Sequence, residues 1–134
     1  MATVIPLAVL TFATLLAFVN AWPNRLVFDD KAFAGPGRAA ELDSWQYIFT
    51  HDVWAWMGKT LGLYRPLLLL QLSAETKVFG AWLKGYHLSN IFQHLVVTLL
   101  LYGFLQFLLR STGGQTSRSR LCALLAALVF AVHP

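Results

Sequence analysis

Two uninterrupted apolar runs limit what this chain can fold into. No formally charged side chain occurs between Lys84 and Arg110, and none occurs from Ala2 to Asn24. At a rise of 1.5 Å per residue, the roughly 24 residues of 86–109 and the roughly 19 of 4–22 each match a hydrocarbon core of about 30 Å. Lipid offers no hydrogen bonds to a backbone, so each run is expected to form a spanning helix. The composition agrees: 57% of residues are hydrophobic and only 12% are charged, against about 25% charged in an average soluble domain. The expected fold class is all-α, built on integral membrane helices. For the first run, a cleaved signal peptide ending at Val19-Asn20-Ala21 is the rival. It fits poorly, because the run has no preceding Lys or Arg and exceeds the usual apolar stretch of about 7 to 15 residues.

Other function classes lose support on charge and cysteine content. The formal charge is +4, but the basic residues are scattered and form no stripe with interleaved aromatics, so nucleic acid is not an expected partner. Cys122 is the only cysteine. This excludes an internal disulfide and CxxC-type metal or redox sites.

Between the runs, residues 23–85 mix charges, Gly35-Pro36-Gly37 and the aromatics Trp45, Tyr47, Phe49, Trp54 and Trp56. Such a segment suits a loop lying on the membrane with its aromatics at the interface, or equally a folded loop with a small core of its own. A short helix is expected within 39–50. A second is expected over 66–79, where Pro66 would occupy the first turn at no cost in hydrogen bonds. Glu75 and Lys77 interrupt its apolar run, so it is read as an interfacial helix with leucines toward lipid and charges toward headgroups, a tilted span being the alternative. Residues 110–120 carry Arg110, Arg118 and Arg120 without an acid. By the positive-inside rule that turn is cytoplasmic, which places the amino terminus inside and the 23–85 loop on the exoplasmic side. A third apolar run begins at Leu121 and is too short to span by 134, so the chain is expected to be an amino-terminal piece of a larger polytopic fold.

Candidate chemistry gathers at two places. Asp29-Asp30 are adjacent carboxylates just past the end of the first run, where polar groups at membrane depth tend to mark function. His87, Asn90 and His94 recur at spacings of three and four, so they share one face of the second spanning helix. That face is either a hydrogen-bonded packing surface or the lining of a site. No metal site is expected, since His87 and His94 are roughly 10 Å apart along a helix.

The motifs LVFDD at Leu26 to Asp30, HDVW at His51 to Trp54, YRPL at Tyr64 to Leu67, GYHLSNIFQH at Gly85 to His94 and LVFAVHP at Leu128 to Pro134 resemble, in this order, the amino-terminal region of the transmembrane and tetratricopeptide-repeat-containing O-mannosyltransferases and their bacterial relatives. These are C-type (GT-C) polytopic membrane glycosyltransferases. The resemblance implies transfer of a sugar, mannose in this subfamily, from a polyprenyl-phosphate carrier to a hydroxyl acceptor such as protein Ser or Thr, at the bacterial inner membrane or the endoplasmic reticulum. It implies Asp29 and Asp30 as catalytic carboxylates, one of them accepting the proton of the attacking hydroxyl. Arg65 is the nearest cation in a motif, and its planar fork suits the carrier's phosphate. Tyr64, His87, Asn90, His94 and His133 are candidates to line the site. The donor sugar, the acceptor and any cofactor stay open on these residues. The rival class of function is a small, non-catalytic membrane scaffold or interaction subunit.

Overall fold

The computed structural model describes residues 4–25, 42–114 and 116–133, and these contain helices and turns but no strand. The helices are α1 (Val4–Phe18), continued by a 3-10 turn over Val19–Ala21, α2 (Trp45–Thr50), α3 (Pro66–Phe79), α4 (Leu83–Ser111) and α5 (Ser117–Val132). Two compact units result: Met1–Pro23 with His87–Pro134, and Asn24–Tyr86.

Val4–Ala21 and Leu83–Ser111 are long and apolar enough to cross a membrane. Only 11% and 17% of their most apolar windows are buried. Large apolar side chains instead face outward: Phe12, Leu16, Phe92, Leu100, Phe104 and Phe107 are all more than half exposed. Such surface is stable in lipid and costly in water. α4 has 29 residues, about 43 Å of helix, which exceeds a hydrocarbon core of about 30 Å and calls for tilt or projection.

The three helices meet through small residues. Ala123, Ala127 and Ala131 recur every four positions along α5 and are buried with Leu10 of α1 and Tyr102 of α4. Small side chains let helix backbones approach closely, which drives packing where the lipid is as apolar as the protein. The buried hydroxyls need no partner from another helix. Thr14 donates to the Leu10 carbonyl at 2.9 Å and Thr98 to the His94 carbonyl at 2.8 Å, each within its own helix.

α5 starts four residues ahead of the apolar run expected from Leu121. Thr116 caps it: the Ser119 N–H donates to Thr116 Oγ1 at 3.1 Å and the Thr116 N–H donates to Ser119 Oγ at 2.8 Å. This reciprocal box satisfies two otherwise orphaned donors and draws Arg118 and Arg120 into the first turn.

The second unit has its own core, formed by Leu42, Ile48, Val53, Leu69 and Leu72. Ser44 caps α2, its hydroxyl accepting from the Tyr47 N–H at 3.2 Å. The helix expected within 39–50 is therefore found over its second half, residues 39–41 lying outside the described residues. α3 has the expected bounds, with Pro66 in its first turn and Gly80, at φ 53°, ending it. Its faces differ from the expectation. Leu69 and Leu72 turn into the core of the unit rather than toward lipid, and Glu75 is only 6% exposed. Gln71 Nε2 donates to Glu75 Oε1 at 2.9 Å, one contact that makes burial of this carboxyl group tolerable. Lys77 is exposed and pairs with Asp43 at 2.9 Å.

Candidate functional site

A cavity of about 690 Å³ opens in the first unit, lined by Phe18, Ala21, His87, Asn90, Ile91, His94, Ala126, Val129, Phe130 and His133. Four of the residues expected to line a site, His87, Asn90, His94 and His133, are thus brought together. The helical spacing of the first three puts them on one face of α4. His133 arrives from the carboxyl end of α5, where its own N–H donates to the Val129 and Phe130 carbonyls.

His94 is held from three sides. Its ring lies edge-on to Phe18, with centroids 5.0 Å apart at 78°, and is stacked on Phe130 at 5.0 Å and 28°. Its Nε2 is 3.2 Å from the Ala131 carbonyl. A carbonyl only accepts, so Nε2 carries the hydrogen of this contact. One imidazole therefore ties α1, α4 and α5 together at this end. Imidazoles and an amide along one wall can hold hydroxyl or phosphate oxygens, while Phe18, Ile91, Val129 and Phe130 suit an apolar body. Among the described residues, no Asp, Glu, Lys or Arg lines the cavity.

Tyr64 and Arg65 belong to the second unit. The Tyr64 hydroxyl donates to the Phe49 carbonyl at 2.8 Å. Arg65 immediately precedes α3, and its carbonyl accepts from the Leu69 N–H at 3.2 Å. The side chain is exposed. Among the described residues, Arg65 makes no ion pair. Asp29 and Asp30 lie outside the described residues.

Asp52, in the HDVW motif, closes a loop that its place in the sequence does not announce. Its Oδ1 accepts from the Trp54 N–H at 2.7 Å, and its Oδ2 accepts from the Leu63 N–H at 2.6 Å and the Leu61 N–H at 3.2 Å. The Trp54 amide above all, helped by those of Leu63, Leu61 and Gly62, holds its carboxyl below the ordinary value of 3.8, with desolvation opposing. A carboxylate so engaged is a poor proton acceptor. The only signal in the sequence is Asp at the end of a short helix, which does not reveal donors nine and eleven residues away.

Similarity to curated proteins extends over most of the chain. A mouse protein described as Protein O-mannosyl-transferase TMTC4 is 29% identical over 141 residues, 94% of this chain and 18% of that protein. A Drosophila melanogaster Protein O-mannosyl-transferase Tmtc3 is 29% identical over 138 residues, 91% of this chain and 15% of that protein. The human TMTC4 is 28% identical over 135 residues, 90% of this chain and 18% of that protein. The chain thus spans less than a fifth of the length of these relatives. No family model and no solved structure matches it.

Proposed function

We propose that this chain is the amino-terminal part of a C-type membrane glycosyltransferase that moves a sugar, mannose by analogy, from a polyprenyl-phosphate carrier to a hydroxyl acceptor such as protein Ser or Thr. The observation that carries the reading is similarity to proteins named O-mannosyl-transferases over at least 90% of the chain. The grouping of His87, Asn90, His94 and His133 in one cavity supports it, because imidazole and amide groups beside an apolar wall suit an amphipathic, hydroxyl-bearing ligand.

In this reading the amino terminus and Arg110 are cytoplasmic, the 23–85 segment is exoplasmic, and further spans complete the enzyme. Asp29 accepts the proton of the acceptor hydroxyl as its oxygen attacks the sugar's anomeric carbon, and the carrier phosphate leaves with the electrons of the broken bond. Asp30 binds the acceptor or shares that role. Arg65 offers its guanidinium fork to the phosphate, whose charge grows as the bond breaks.

The test is transfer of labelled sugar from a polyprenyl-phosphate donor by the protein that carries this segment together with the remaining spans. Asp29→Asn retains size and hydrogen bonding but removes the accepting charge, and turnover is expected to fall by roughly 10² to 10⁴ at equal abundance. Parental turnover in Asp29→Asn with loss in Asp30→Asn would move the base to the neighbour. Parental turnover in both would end the catalytic reading of this stretch.

A further inference from the structure

Asp52 of the HDVW motif is bonded to the segment that leads directly into the YRPL motif. Its two oxygens accept three backbone N–H groups, from Trp54 on one side and from Leu61 and Leu63 on the other. The Val53 N–H donates to the Leu63 carbonyl at 3.0 Å, closing the same neck. The loop inside turns through a 3-10 segment, Ala55–Met57, and through two glycines with left-handed backbone, Gly58 at φ 68° and Gly62 at φ 73°. Directly past the neck come Tyr64, whose hydroxyl holds the Phe49 carbonyl, and Arg65. On its other flank Arg65 is fixed by α3, whose Leu69 is fully buried and bonds back to the Arg65 carbonyl. The backbone beneath the exposed guanidinium is therefore pinned on both sides.

We propose that Asp52 is a positioning residue: it closes the 53–63 loop so that Arg65 is presented as a preorganised receptor for a phosphate ester. This rests on the reading of Arg65 as the phosphate-binding cation. Asp52 does not touch the ligand. Its role is to raise the fraction of conformers in which the fork can engage two phosphate oxygens, and the apparent dissociation constant varies inversely with that fraction. A phosphate ester could come from a lipid or from solution, and the chemistry at the fork is shared.

The experiment uses the 134-residue chain in a maltoside detergent, which carries no phosphate. Dihexanoyl phosphatidic acid and inorganic phosphate are titrated separately, followed through the Arg65 side-chain N–H resonance and, for the variants lacking it, through tryptophan fluorescence. Asp52→Asn keeps one acceptor oxygen, loses the charge and cannot accept all three amides. If the competent fraction falls to about a tenth, binding weakens roughly tenfold. Arg65→Ala is expected to remove most binding, and in that background Asp52→Asn should change the residual affinity by a factor near one. Amide exchange of Leu61 and Leu63 should speed up in Asp52→Asn in either background. If Asp52→Asn is too poorly folded to measure, Gly62→Val strains the left-handed position inside the loop while leaving the carboxylate intact, and should weaken binding with the same dependence on Arg65.

Whichever ligand binds more tightly identifies the source, and loss on Asp52→Asn for that ligand supports the proposal. Equal weakening in both Arg65 backgrounds would show a merely structural role and overturn it. So would parental affinity in Asp52→Asn while Arg65→Ala loses binding. If Arg65→Ala binds as the parent does, the Arg65 reading itself fails and takes the proposal with it, while amide exchange still reports on the loop.

Discussion

Gly85→Ala sets two effects of opposite sign against each other, and the structure decides between them. Gly85 lies in the first turn of α4 and is buried. A Cβ there would lie 2.5 Å from both Cγ and Cδ1 of Phe79 and 2.8 Å from Cε3 of Trp82, against an optimal separation of about 3.5 to 4.0 Å between carbons. Cγ is the root of the phenyl ring, so the contact cannot be relieved by moving a flexible tip. Phe79 is itself held, with its ring 5.8 Å from those of Trp82 and Tyr86. The Tyr86 hydroxyl in turn donates to the Gly80 carbonyl at 3.0 Å. Overpacking of this kind costs about 1 to 3 kcal/mol. Replacing Gly by Ala inside a helix returns up to about 1 kcal/mol, and less in a first turn. The clash should win, leaving a net loss of roughly 0.5 to 2 kcal/mol. In a unit of this size each kcal/mol shifts the melting temperature by roughly 4 to 8 °C. Thermal unfolding in detergent, followed by tryptophan fluorescence and near-UV circular dichroism, measures the shift. The second half of the test is the Phe79→Ala background, where the obstructing ring is gone and Gly85→Ala should become neutral or stabilising. A higher melting temperature for Gly85→Ala in the parental background would refute the reasoning.

Two further outcomes are expected. After Cys122 is replaced by Ala, single cysteines at Lys59 and Gly114, both exposed positions, should react with an impermeant thiol reagent from opposite sides of sealed vesicles; labelling from one side would remove the cytoplasmic placement of Arg110 and the exoplasmic placement of 23–85. Because the Asp52 carboxyl is held below its ordinary value of 3.8, its contribution to loop closure is complete above that value and is lost as pH falls through the lower folded value. Amide exchange of Leu61 and Leu63, corrected for intrinsic rate, should therefore stay flat from neutral pH to about 5 and rise steeply below 3.8 in the parent but not in Asp52→Asn.

The parts of the structure legible in the sequence are those governed by local pattern. The stretches without charge marked α1 and α4, and Pro66 with Gly80 bracketed α3, because lipid solvation and backbone geometry act residue by residue. Helical spacing alone put His87, Asn90 and His94 on one face. What escaped depends on distant partners or on competing local signals. The orientation of α3 was misread because Leu69 and Leu72 find their neighbours at Leu42, Ile48 and Val53, and periodicity cannot tell a protein core from lipid. α5 starts ahead of its apolar run because the box of Thr116 and Ser119 extends the helix over Arg118 and Arg120, which read as loop. The Asp52 neck needs acceptors and donors brought together by two glycines with positive φ, and nothing in HDVW announces that.

The in-helix hydrogen bonds of Thr14 and Thr98 bear on the order of events during synthesis. Leu10 meets Ala127 only after roughly 120 further positions have been made, which at about 5 to 20 residues per second takes from several to some twenty seconds. If α1 spans a bilayer, it stands there throughout that interval without the helix that will cover it. An unsatisfied hydroxyl on the waiting face would be costly in hydrocarbon and would invite pairing with whatever polar helix came first. Thr14, bonded to its own helix, presents methyl surface instead. On that premise α1 can be inserted singly and wait, so late arrival of α5 would delay assembly without misdirecting it.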